Sequence, residues 1–262
     1  MIAVPNISEG RDLTALDAIA AAFGPGLIHR SSDPDHNRAV FTLRGEPGEL
    51  HTAVLSGARE AIARLDITHH TGVHPRVGVV DVAPIVYLDA AERGAACAEA
   101  LVLADELGQL GVPVYLYGEL GGGRTRAELR RPGGLPARPD FGPPTHPTAG
   151  ATLVAARPPL VAFNVEIDAG IGTARAIARR LREDLDVRAL GLQLHDGDRV
   201  QVSTNIEDHT RVTAADVVAA VRAHAPVIAA ELVAPAPRAA LANFPADVPL
   251  RGPKPLEDHL TS

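Results

Sequence analysis

The chain has 262 residues, 46% of them hydrophobic, enough to bury a sizeable core in one large or two small domains. A formal charge of −7, few aromatics and no tryptophan exclude a broad nucleic-acid or membrane-surface binder. The single cysteine, Cys97, leaves no intramolecular disulfide framework and no cysteine-based zinc site, and the opening M-I-A-V-P-N has neither a basic region nor a long apolar stretch, so a cytoplasmic protein is expected.

Residues 1–5 read as a short strand and Ser8-Glu9-Gly10 as a turn. Asp12 can cap a helix in which Leu13, Leu16, Ile19, Ala20 and Phe23 recur at helical spacing, before Gly24-Pro25-Gly26 ends it. A short strand at 27–29, the polar turn S-S-D-P-D-H-N, a strand at 38–44 and a helix at 49–65 follow. The stretch 68–81, T-H-H-T-G-V-H-P-R-V-G-V-V-D, reads as an irregular loop leading into a strand at 77–87, because Gly72 and Pro75 oppose a helix. This order is β-α-β-β-α-β, the split βαβ or ferredoxin-like pattern. A helix at 89–110 and a strand at 112–117 extend it, and residues 118–150, rich in Gly, Pro and Arg, read as loop.

The order repeats from residue 160: a strand, a helix at 169–184, strands at 187–194 and 199–205 joined by the turn H-D-G-D, a helix at 212–224 and a strand at 227–233. Residues 234–262 read as a tail that wraps or frays. The expected fold class is α/β of the α+β kind: two ferredoxin-like subdomains, 1–158 and 159–262, with a ligand cleft between them.

Chemistry concentrates in two polar clusters. His74, between glycine and proline residues and two places before Arg76, reads either as a general base beside an anion site or as a histidine that hydrogen-bonds its loop together. A zinc site from His69, His70 and His74 is disfavoured, since histidines four apart ligate zinc on a helix and no glutamate follows His70. In D-P-D-H-N-R at 33–38, turn propensity explains Asp33, Pro34 and Asn37 better than His36 and Arg38. Arg38 and Arg76 each adjoin a strand end, where a guanidinium can receive a carboxylate or serve in a surface ion pair. The only lysine is Lys254, so an anion site here must use guanidinium forks. G-G-G-R at 121–124 lacks the rest of a phosphate loop, and D-F-G at 140–142 lacks the rest of a kinase signature.

V-P-N-I-S-E-G-R at 4–11, N-R at 37–38, H-T-G-V-H-P-R-V-G-V-V-D-V at 70–82 and P-V-Y-L-Y-G-E at 113–119 occur in that order. D-F-G-P at 140–143, G-A-T at 150–152, A-F-N at 162–164 and Q-V-S-T-N at 201–205 follow. Together they resemble the glutamate formiminotransferase family, including the formiminotransferase part of formiminotransferase-cyclodeaminase. The resemblance implies a homodimer with folate in a channel between two α/β subdomains. It implies transfer of a formimino group from N-formimino-L-glutamate to N5 of tetrahydrofolate in histidine breakdown, with tetrahydrofolate as co-substrate and no metal. No separate cyclodeaminase domain is expected.

The family's catalytic histidine falls on His74, and its folate-contacting loop on 142–150, with Gly142, Pro143, Thr145, His146, Thr148 and Gly150 as candidate contacts. Asn6, Glu9, His36, Asn37, Arg38, His70 and Arg76 complete the candidate substrate and folate contacts, with Arg38 and Arg76 as carboxylate clamps and Asn6 and Glu9 orienting the pterin. Asp81 is expected either to support the fold or to orient a loop histidine. The chain departs from the family at Val73, often a glutamate, and in a slightly shorter folate loop. The other readings are a folate-dependent formyl transferase and a non-catalytic folate-binding protein.

Overall fold

The computed structural model describes residues 1–72, 74–194 and 199–261, and divides the chain into two compact units, Met1–Arg157 and Pro158–Ser262. Val73 and the expected H-D-G-D turn at 195–198 lie outside the described residues. The class is α+β, with one sheet in each unit. No helix among the described residues is long and apolar enough to cross a membrane.

The first unit begins with β1 (Ile2–Ala3) and β2 (Asn6–Ile7), one strand broken at Pro5, which has no N–H for the ladder. Then come α1 (Leu13–Phe23), β3 (Leu27–Asp33), β4 (Arg38–Arg44), α2 (Leu50–Arg64), β5 (Val80–Val86), α3 (Arg93–Gln109), β6 (Val114–Leu116), α4 (Arg126–Leu129) and β7 (Thr152–Arg157). Across the sheet the order is β3, β4, the β1/β2 pair, β5, β7 and β6; neighbours are antiparallel as far as β5, and β7 is parallel to both β5 and β6. Asp12 caps α1 as its sequence implies, accepting from the Ala15 N–H at 2.9 Å. Leu16, Ile19 and Phe23 pack with Phe41, Leu43 and Ile85 of the sheet and Leu103 and Leu107 of α3. Each such buried side chain contributes about 1.5–3 kcal/mol. Val82, Tyr115, Tyr117, Leu129 and Leu153 form a second, smaller cluster.

Two expectations for this unit need correction. Residues 31–33 belong to β3 rather than to the polar turn. The strand expected from 77 begins at Val80, because residues 77–79 bond instead to the stretch before β7: Val79 N–H donates to the Ala149 carbonyl, and Gly78 bridges Gly150. β7 itself went unread. It is alanine-rich and lies between two parallel neighbours, so it shows no alternation of apolar and polar residues.

The second unit comprises β8 (Val161–Ile167), α5 (Ile171–Asp184), β9 (Arg188–Gln193), β10 (Val200–Ile206), α6 (Ala214–Arg222), β11 (Val227–Leu232), β12 (Leu250–Arg251) and α7 (Leu256–Leu260). Its sheet runs β12, β11, β8, β10, β9, antiparallel except for the β11–β12 pair. The tail does not fray over its described length: β12 joins the sheet, Leu256 is buried, and its N–H donates to the Ala236 carbonyl.

Candidate active site

The loop before β5 fixes His74 in one tautomer. Its Nδ1 lies 2.7 Å from the Pro75 carbonyl, which can only accept, so Nδ1 carries the proton. Its Nε2 lies 2.6 Å from Nη1 of Arg38, which can only donate, so Nε2 presents its lone pair. Burial holds the imidazole well below its ordinary range, and the positive charges of Arg38 and Arg130 push the same way. His74 is therefore a neutral base with one available lone pair, on which Arg38 sits.

Around it lies a small cavity lined by Ser8, His36, Asn37, Arg38, His74, Arg76 and Asp81. In this state it is closed down to about the space of one water molecule, far below the ~300–1,000 Å³ of ordinary ligand pockets. Positive charge dominates. Burial and the neighbouring Arg130 push the Arg38 guanidinium down to about 9, so it stays cationic at neutral pH. The buried Nε of Arg38 has no hydrogen-bond partner among the described residues.

Asp81 is the buried anion of this cluster, 2% exposed. It is the extra residue of a bulge: Asn6 pairs with Val82 and Ile7 with Val80. Bulges re-aim side chains in this way. The Asp81 carboxylate pairs with the Arg130 guanidinium and accepts from the Val77 N–H at 2.9 Å. Asp81 thus anchors the end of the His74 loop, and among the described residues it bonds to Arg130 and Val77 rather than to a histidine; of its two expected roles the structural one is found.

Asn37 ties three segments together. Its Oδ1 accepts from the Gly10 N–H, its Nδ2 donates to the Thr71 carbonyl, and its own carbonyl accepts from Nε2 of His70, each at 2.8 Å. Its φ of 48° is one that asparagine tolerates better than most residues. Gly72 packs so closely that an added Cβ would stand 2.6 Å from the His36 carbonyl oxygen. Gly72→Ala is accordingly expected to cost about 1–3 kcal/mol in thermal unfolding and, by shifting the loop, to lower turnover further than that stability loss explains.

The remaining candidates are distributed unevenly. His36 lies in the cavity wall, its Nδ1 3.1 Å from Asp33 and its ring edge-on to His74 at 6.1 Å. Burial raises the Asp33 carboxyl, but hydrogen bonds from His36 and from backbone N–H groups outweigh it and hold it down to about 2. Arg76 reaches the cavity, yet its Nη atoms donate to the carbonyls of Gly72 and His74, so in this state it braces the loop. Glu9 accepts through Oε1 from the N–H groups of Gly10, Arg11 and Asp12 and shapes the turn before α1. Asn6 is buried in β2, with its Oδ1 unpartnered among the described residues.

The 142–150 loop does not line the cavity. His146 Nδ1 accepts from the Thr148 and Ala149 N–H groups, and the Thr148 carbonyl accepts from Ile67 N–H. Gly142 and Gly150 adopt φ of 79° and 68°, and Pro143 and Thr145 are not among the residues that line the cavity. Among the described residues no group of three or more metal-ligating side chains comes together.

Sequence reasoning missed Arg130 and Arg126. Arg130 follows α4 immediately, and Arg126, on α4, lies over the Tyr117 ring at 5.7 Å. The signal was present: T-R-A-E at 125–128 is a capping box, with Thr125 and Glu128 satisfying each other's backbone N–H groups.

The family model for the formiminotransferase domain, N-terminal subdomain, matches residues 1–157. A glutamate formimidoyltransferase of Streptococcus pyogenes serotype M1 is 35% identical, the match covering 78% of this chain and 76% of the relative. One of Thermoplasma acidophilum is 32% identical, over 79% of this chain and 77% of the relative. The formimidoyltransferase-cyclodeaminase of Sus scrofa is 37% identical over 78% of this chain, which spans only 43% of that longer protein. With more than half of its length matched by the family model, and with two relatives matched over about three quarters of theirs, the chain belongs to the formiminotransferase family.

Proposed function

We propose that this protein is a glutamate formiminotransferase, moving the formimino group of N-formimino-L-glutamate to N5 of tetrahydrofolate, and that His74 is its general base. The observation that carries the reading is the neutral imidazole whose Nε2 lone pair faces a cavity rich in guanidinium groups. Tetrahydrofolate supplies the nucleophilic N5 as co-substrate. His74 Nε2 accepts the proton released as the new C–N bond forms. It returns that proton to the glutamate nitrogen as the old C–N bond breaks, so the imidazole ends each turnover neutral. Arg38 receives a carboxylate of the donor, and fixing both substrates in place supplies much of the rate.

On this reading residues 1–158 and 159–262 are the N- and C-terminal subdomains of the enzyme. The 142–150 loop contacts folate, through Gly142, Pro143, Thr145, His146, Thr148 and Gly150, while Asn6 and Glu9 orient the pterin. The enzyme works as a cytoplasmic homodimer in histidine breakdown. Purified protein given tetrahydrofolate and formiminoglutamate is expected to yield 5-formiminotetrahydrofolate by mass spectrometry. Folate binding without turnover would replace this reading with a binding protein, and turnover only with a formyl donor would replace the substrate.

A further inference from the structure

We infer that Arg38 is a removable cap on His74: a donor carboxylate draws its guanidinium off Nε2 and so bares the base only when the donor is bound. The inference rests on the proposed function and adds a coupling between recognition and catalysis. Three observations carry it. First, the Nδ1 proton of His74 is committed to the Pro75 carbonyl, so Nε2 holds the only basic lone pair, and Arg38 occupies it at 2.6 Å. A base so engaged cannot take a proton until the guanidinium moves.

Second, Arg38 is poorly satisfied where it is. Its Nε is buried without a partner among the described residues, and its bond to a neutral ring nitrogen supplies no counter-charge, so that Asp81, which pairs with Arg130, offsets it only from a distance. A carboxylate is a stronger partner, because it brings the counter-charge that the neutral ring lacks and can accept two parallel bonds from the guanidinium fork. Third, the cavity's own anion is already committed, since Asp81 pairs with Arg130. An incoming carboxylate therefore meets Arg38 without internal competition from that residue.

The charged and titratable groups that face His74 act together. Arg38 on β4, Arg130 after α4 and Arg76 on the loop are cationic, His36 stands edge-on in the turn before β4, and Asp81 on β5 offsets Arg130. Adding a carboxylate compensates Arg38, removes its hydrogen bond from Nε2 and so raises the proton affinity of His74. The sign follows: a base must be deprotonated to act, and the acid limb of kcat/KM reports the free enzyme while that of kcat reports the enzyme with donor bound. The limb of kcat is expected at higher pH than that of kcat/KM.

The test is 15N NMR of histidine-labelled protein, titrated with pH in the presence and absence of L-glutamate as the carboxylate probe. Glutamate is expected to raise the proton affinity of His74 by at least about tenfold, one pKa unit. In Arg38→Met the affinity is expected to be high already and unresponsive to glutamate; if that variant does not fold, Arg38→Gln gives the same reading. An unchanged His74 titration with saturating glutamate, or a wild-type response in the Arg38 variants, overturns the cap. The proposed function is judged separately, by turnover with tetrahydrofolate: turnover without the NMR shift removes the cap alone, and the shift without turnover removes the proposed function alone.

Discussion

His74→Ala is expected to lower formimino transfer by about 10²–10⁴-fold, the usual span for a lost general base. The loss should fall on kcat more than on KM, since proton transfer belongs to the transition state rather than to binding. The fold should survive, because His74 is only partly buried and belongs to neither hydrophobic cluster of its unit. A circular-dichroism melt close to that of the parent protein, measured beside the kinetics, separates lost chemistry from lost structure.

Asp81→Ala is expected to act the other way, through stability. Removing the carboxylate strands the Arg130 guanidinium and orphans the Val77 N–H, and it leaves Arg38 and Arg130 without the buried anion that offsets them. Breaking a buried pair from one side costs about 3–5 kcal/mol. For a unit of this size that corresponds to a fall in Tm of about 6–20 °C. Glu60→Ala, which removes an exposed i,i+4 partner of Arg64 on α2, is the control and should leave Tm nearly unchanged. A small Asp81→Ala effect would mean that the ion pair does not anchor the loop.

The parts of the fold that could be read from sequence are those where local chemistry and packing agree. Asp12 announces α1, and Leu16, Ile19 and Phe23 mark its buried face at helical spacing. β4 declares itself through Val40, Phe41 and Thr42. Where a strand is buried between parallel neighbours, as at β7, its residues resemble any apolar run. Where a tail gains structure only by joining an existing sheet, as β12 does, nothing local foretells it.

The site follows the same logic. His74, Arg38, His36 and Arg76 were singled out by unusual residue types in a loop or turn and Asn37 by the family resemblance, and the cavity gathers all five. Their pairing was not legible, because Arg38 and His74 lie 36 positions apart and meet only through the sheet. Arg130 was hidden in a stretch without periodicity, although the Thr125–Glu128 capping box fixed the short helix that delivers it. Arg76 shows the converse: an arginine in a motif looked like a clamp, but the loop's own carbonyls occupy its Nη atoms.

The role of His74 as general base is tested most directly by a single-turnover measurement of 5-formiminotetrahydrofolate formation by the parent protein and by folded His74→Ala, with imidazole added back to the variant. Rapid product formation is expected from the parent, with a rate at least about 10²-fold lower in the variant and partial recovery that rises with imidazole concentration. Near-parental rates in His74→Ala, or no product from the folded parent protein, would contradict that role.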